Sequence, residues 1–416
     1  MSKTKGSIVI KFSSLGLSLI TIFLAFLFLF AFGEIQGSEK KPNYLFKENI
    51  SRSVLENYLA RSATVASLLH LALDDDLRMI QNTGVKFAGR VIWMWGNESK
   101  IDALIDKGAP FVKQIHQIDP DIILQGAIFE IITTDVNNVK IPAAVFKEFG
   151  LNPGNRNFDY KKMIYPFGRR VNHWEKGASV PDMSRIETKM WFFYVAKRWI
   201  DMGLEAIHFG QVEIMDDRDR KHIHWRDMMA RIRSYAKKHA RRNLVLCDAH
   251  VPSGGIVHDG KLMFDLHSFP SRPKSLNGRP HQAILEKGFS DSIYGRSAGG
   301  ISPSGWVCES LPYIVEIDNF GNSDHPGKYL ESDKIHVWGW DEINWFINQS
   351  ESYRNKWLEY AYSWVRENDS NGYFQLPLRR FQHYSASMLG PKGKRQEDTI
   401  KTVSYTHLTL PTKRIV

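Results

Sequence analysis

The sequence predicts an α/β protein: a (β/α)8 TIM barrel with long βα-loop insertions, preceded by an apolar N-terminal export segment. Three observations predict it. Short, nearly continuous apolar runs alternate with helical periodicity through most of the 416 residues, as expected for strands covered on both faces. Acids or histidines follow directly on six of those runs, where a barrel builds its site. No Gly-x-Gly-x-x-Gly turn follows any run, so a dinucleotide fold and a phosphate-cradling loop lack their signature.

The N-terminus comes first. Lys3, Lys5 and Lys11 precede an uncharged, mostly apolar stretch from Leu15 to Phe32, and no acid occurs before Glu34. A basic segment followed by an apolar one is the export pattern, with Ala31 and Gly33 as the small residues of a cleavage site. The stretch is also just long enough to cross a bilayer, so residues 1–33 read as a signal peptide or an N-terminal membrane anchor. Either way the body is exported, to the periplasm or the extracellular space. Residues 34–48 read as a polar tether and 49–402 as the barrel. At the other end, Val403 to Thr412 resembles the translated frame of a common sequencing-library adapter, so 403–416 is set apart as a non-native tail.

Composition narrows the classes. A hydrophobic fraction of 43% with 24% charged residues fits a globular body, not a disordered one. Two cysteines, Cys247 and Cys308, exclude a disulfide scaffold and a cysteine-built metal site, and read as free buried thiols. The formal charge of +10 would suit nucleic acid, but Lys3, Lys5, Lys11, Lys413 and Arg414 supply five of those charges. No nucleic-acid partner is expected, and a membrane only through the N-terminal segment if it stays uncleaved.

Along the body, the strand candidates are Thr64–Leu68, Phe87–Trp93, Asp121–Phe129, Ala206–Val212, Leu244–Cys247, Leu262–Leu266, Tyr313–Ile317 and His336–Gly339. Helical periodicity marks Arg52–Leu59, Asp74–Asn82, Ile101–Gln117, Arg185–Asp201, Trp225–Ala240 and Tyr353–Glu367. Ser184 with Glu187 predicts a capping box at the fourth of these helices. Two long insertions, from Val136 to Pro181 and from Asp259 to Val307, carry aromatics and read as binding loops.

The predicted strand ends then deliver Glu130, Glu213 with Gln211, Asp248 with His250, Asp265 with His267, Glu316 with Asp318, and Asp341 after Trp340. One strand-end acid commonly caps a helix or pairs with an arginine. Six in a row point to a site. Glu213 ends the fourth predicted strand and Glu316 the seventh, and here the pattern resembles the clan A (β/α)8 glycoside hydrolases. The resemblance lies in strand-end residues and is no motif match along the chain. It implies that Glu213 is the acid/base and Glu316 the nucleophile, acting on a glycan without a cofactor. It also makes Trp338 and Trp340 the eighth-strand floor of a sugar subsite. One departure is Val212, where the clan places an asparagine before the acid/base; Gln211 stands one residue further back.

The chemistry is consistent with that resemblance. Glycoside hydrolysis needs one protonated and one ionised carboxyl, about 5–5.5 Å apart for retention. Strands four and seven lie across a barrel mouth. Glu130, Gln211, Asp248, His250, Asp265, His267, Asp318, Trp338 and Trp340 are expected to bind substrate, with Trp93, Trp95, Trp174 and Trp306 as further stacking candidates. Two other readings stay open. Asp248, His250, Asp265 and His267 have the i,i+2 spacing and ligand types of a metal-dependent hydrolase. A carbohydrate-binding barrel without turnover is the third.

Overall fold

The computed structural model describes residues 42–409, apart from 218, 220, 319–341, 382 and 390–392, and no side chain at 280 or 406–409. The expected export segment, Asp341, Trp338 and Trp340 lie outside the described residues. Almost everything described belongs to one compact unit, Asn43–His407. Its frame is eight parallel strands: β1 (Ser62–Ala66), β2 (Phe87–Ile92), β3 (Ile123–Ala127), β4 (Ala206–Gln211), β5 (Leu246–His250), β6 (His267–Pro270), β7 (Tyr313–Glu316) and β8 (Gly372–Arg380). They pair in the order β6-β7-β8-β1-β2-β3-β4-β5. This is the barrel that the alternation of runs and helices predicts.

Asp265 bridges the seam between β5 and β6. Asp265 donates its N–H to Cys247 O at 2.8 Å and accepts the Cys247 N–H on Oδ2 at 2.9 Å. The same carboxylate meets Arg233 of the helix Ile223–His239 at 3.0 Å, and burial pushes its pKa up while Arg233 opposes the shift. Asp265 is therefore a stitch between the strands and the helical layer, not a substrate or metal ligand at the mouth.

Five strand expectations hold to within two residues at each end: the first four and the seventh. The fifth and sixth are displaced toward the C-terminus: β5 starts at Leu246 and β6 at His267. The eighth is a correction. The strand between β7 and β1 is Gly372–Arg380, while the expected run His336–Gly339 lies outside the described residues. Its sequence, GYFQLPLRR, holds a proline and two arginines and so reads poorly as a central strand. Pro377 is tolerated because it faces Thr64 where the β1–β8 register shifts, at a bulge that asks for no ladder donor.

All six predicted helices form. The capping box does not. Glu187 instead accepts Arg156 Nη1 at 2.6 Å and the Asp159 N–H at 3.0 Å, tying the long β3–β4 connection to its helix, and the N-cap position is Arg185. The base of the barrel is plugged by the helix Arg52–Ala60. Val54, Leu55, Tyr58 and Leu59 pack on residues at the N-terminal ends of strands, among them Phe87, Ile123, Ala206, Leu246 and Tyr373. Tyr44 joins that cluster, so the end of the expected tether is part of the fold. Trp306 packs there too and donates Nε1 to Ile50 O at 3.0 Å, which removes it from the stacking candidates. The helix Glu397–Thr409 runs past position 402, with Val403 and Ser404 buried. Cys247 and Cys308 are buried and free.

Replacing Asp265 by alanine leaves the Cys247 N–H without its partner and the Arg233 guanidinium without an anion, bonded to the Met263 carbonyl alone. We expect a loss of about 3–5 kcal/mol, read from urea denaturation midpoints at unchanged slope.

Candidate active site at the barrel mouth

The barrel interior is polar almost all the way round. Thr64 (β1), Arg90 (β2), Gln125 (β3), His208 (β4), Asp248 (β5), Glu316 (β7) and Gln375 (β8) are all buried. They bond mostly to one another, as buried polar groups must, with the Gln375 Nε2 donor left without a hydrogen-bond partner. Gln125 Nε2 donates to Asp248 Oδ1 at 2.6 Å, and His208 Nδ1 lies 2.7 Å from Asp248 Oδ2. Thr64 Oγ1 donates to Glu316 Oε2 at 2.6 Å and lies 3.0 Å from the Gln375 amide. Arg90 Nη2 reaches Glu316 Oε1 at 2.5 Å, and Nη1 reaches Asp318 Oδ1 at 3.0 Å. Arg380, at the end of β8, meets the same Asp318 oxygen at 3.1 Å.

Arg90 holds this position at a conformational cost. Its φ of +57° is left-handed, unusual for a long side chain, and falls where the β2–β3 register shifts. Its N–H is spent on Gln125 Oε1 at 3.1 Å, and its guanidinium stands 5.7 Å from the Phe129 ring. Burial works against its charge, but Glu316, Asp318 and Asp248 outweigh burial and raise its pKa. The signal was present in the text: an arginine inside the apolar run Phe87–Trp93 has no reason to be there unless a buried acid awaits it.

The two expected catalytic glutamates occupy unlike places. Glu213 sits in a 3₁₀ turn directly after β4, half-buried, and accepts a hydrogen bond from Ser253 Oγ of the loop after β5. Glu316, the last residue of β7, is fully buried with both oxygens engaged. The described contacts give the two no common partner. Asp318, two residues beyond β7, retains 15% side-chain exposure and is the carboxylate nearer to solvent.

Glu130 and Gln211 hold each other. Glu130 Oε2 accepts the Gln211 N–H at 2.9 Å, and Oε1 accepts Gln211 Nε2 at 2.8 Å. A Cβ on Gly210 would stand 1.9 Å from Glu130 Oε2, so only glycine, here at φ +55°, lets the two strand exits approach. An aromatic wall borders them. Trp93 lies 6.0 Å from Phe129, Trp95 5.8 Å from Phe129 and 4.9 Å from Trp174, and Trp174 donates Nε1 to Glu130 O at 2.9 Å. Trp95 is 42% exposed.

The four alternative metal ligands diverge. Asp248 turns into the barrel toward Gln125 and His208, and Asp265 toward Arg233. His267 Nδ1 lies 3.0 Å from Ser297 Oγ, with burial pulling its pKa down to about 4. His250 lies 3.6 Å from Asp291 and against the Phe269 ring. Among the described residues no group of three or more His, Cys, Asp or Glu could hold a metal ion. Two-residue spacing fails to gather them because the β5–β6 connection carries Asp265 ahead of its strand.

No family model matches the chain, and no curated protein sequence is significantly similar to it. Among solved structures, it is similar at 10% identity to the debranching enzyme of Nostoc punctiforme, with a TM-score of 0.27 over 43% of this chain and 38% of that one. The alpha-galactosidase of Thermus thermophilus gives 10% identity and a TM-score of 0.28 over 45% and 37%. A putative alpha amylase of Salmonella typhimurium gives 10% identity and 0.34 over 68% and 51%. The chain thus spans about a third to a half of the length of these neighbours. The barrel is read from its own strand order and register.

Behind the mouth, Glu342 accepts the Asp318 N–H at 3.0 Å and Arg272 Nη1 at 3.2 Å. Burial pushes its pKa from 4.5 up to about 7, against the pull of Arg272. The folded state therefore holds a proton there that the unfolded chain has released, so stability falls as pH rises from about 4.5 to about 7. We expect Glu342→Gln to flatten that slope by on the order of 2 kcal/mol across the window, measured by denaturation at a series of pH values.

Proposed function

We propose that the protein hydrolyses glycosidic bonds at the barrel mouth, with Glu213 as acid/base and Glu316 as the carboxylate that meets the anomeric carbon. One observation carries the reading. Two strand-end carboxylates stand in unlike surroundings, Glu213 half-buried against a serine hydroxyl and Glu316 buried against a guanidinium, in a barrel that also carries the aromatic wall of Trp93, Trp95, Phe129 and Trp174. Unlike surroundings are what divide acid from base between two carboxyls, and aromatic faces stack on sugar rings. The reaction is taken to proceed with retention through a glycosyl-enzyme intermediate. The apolar N-terminal segment would deliver the barrel outside the cytoplasm, or hold it at the membrane if uncleaved; fractionation of cells expressing the full chain tests that, and a cytoplasmic pool alone rejects it.

A second reading, a glycan-binding barrel without turnover, is favoured by the complete burial of Glu316. Truncating Glu316 is also no neutral probe. Glu316→Ala would leave Arg90 with Asp318 alone, so loss of stability accompanies loss of function. The amide variants keep the shape. On a panel of glycans, Glu213→Gln and Glu316→Gln should each lower kcat/KM at least about 10²–10⁴-fold, and the first-formed anomer seen by NMR should match the substrate. Wild type that binds a glycan and cleaves none leaves the binding reading. Undiminished rates in either variant reject that residue's role.

A further inference from the structure

The β3–β4 connection is basic and carries a bare aromatic ring. From 159 to 176 it holds Lys161, Lys162, Arg169, Arg170 and Lys176 against two acids, Asp159 and Glu175, with Lys162 3.5 Å from Asp159, and all of these except Asp159 and Arg170 are exposed. Phe167 stands at its tip, 97% exposed, with φ +62°. Both features are unfavourable. An aromatic ring stands in water, and a bulky residue occupies the left-handed region where glycine would sit without strain. Strain of this kind persists where the surroundings impose it, and it concentrates at binding sites.

The surroundings do impose it. Arg169 and Arg170 pair with Asp217 at 2.8 and 2.5 Å, four residues beyond Glu213. The Asn172 N–H donates to Ser179 Oγ at 2.8 Å, and Trp174 is fixed by Glu130 and Trp95. The tip is thus held relative to the mouth. We propose that Phe167, with Lys161, Lys162 and Lys176, is a platform for an anionic polysaccharide leaving the mouth: a sugar ring stacks on Phe167 while carboxylate or sulfate groups meet the lysines. The proposal rests on the glycan reading of the mouth and names its substrate class as an acidic polymer. A lipid surface would need a broader apolar face than one ring.

Affinity electrophoresis of the full chain, in gels holding polygalacturonate or neutral dextran, tests it. Wild type should be retarded by polygalacturonate and not by dextran, less so as salt is added. Phe167→Gly and the double variant Lys161→Ala/Lys162→Ala should each weaken the retardation about fivefold or more, while Lys113→Ala, exposed on the helix Ile101–Ile118 and outside this loop, runs as wild type. Phe167→Gly should also unfold at or above the wild-type Tm, because glycine accepts φ +62° without strain. Binding and stability then move in opposite directions, which a structural role would not produce. Equal retardation of Phe167→Gly and wild type overturns the platform, as does equal loss in Lys113→Ala. So does capture of wild type on phosphatidylglycerol vesicles with no retardation by polygalacturonate. Retardation that depends on Phe167 while no glycan is cleaved sustains the platform and sinks the hydrolase.

Discussion

The buried guanidinium of Arg90 is the contact around which the barrel interior is arranged. A cation taken out of water must be matched by anions and hydrogen bonds, or the strand that carries it will not stay buried. Glu316 answers it from the end of β7 and Asp318 from two residues beyond, and Arg380 shares Asp318 from β8. A planar fork of donors suits two carboxylates at once in a way an ammonium does not. The left-handed backbone at Arg90, a local cost of about 1–3 kcal/mol, is sustained by that over-determined set of partners. Removing Arg90 would leave Glu316 as a buried carboxylate without its cation, whereas Asp318 would keep Arg380.

From this follows a division of the barrel into three levels. The base is apolar and sealed by the helix Arg52–Ala60. The middle is a mutually bonded polar ring in place of the layers of branched aliphatic side chains that usually fill such barrels. The mouth is aromatic on the side of β2 and β3 and acidic where β4 and β7 end. A polar middle fixes the strand ends more sharply than apolar packing would, because hydrogen bonds have direction. It also gives the mouth a carboxylate whose cation partner comes from another strand.

Much of the site was legible, for an identifiable reason. A charged or amide residue inside an apolar run is costly, so Glu316, Asp248 and Glu130 announced themselves by position alone. Arg90, Gln125 and His208 carried the same signal but are not acids, and a search for paired carboxylates passes over them. Asp265 and His267 show the opposite error. Their spacing looked like a ligand pair, yet one bridges the seam and the other bonds to Ser297. Spacing reports which face of a strand a residue takes, not which neighbour fills that face.

The order of apolar runs and helices is local information, and it was enough by itself to determine the class of fold, most of the strands and every helix that periodicity marked. The identity of β8 was decided only by tertiary structure, since Gly372–Arg380 is a poor strand until Thr64 and its bulge accommodate Pro377. The partners of each buried charge were decided there as well. Thr64 and Glu316 are 252 positions apart, and Arg90 and Asp318 are 228 apart. Pairing over such separations depends on which strands the closed sheet makes neighbours, and no local pattern contains that.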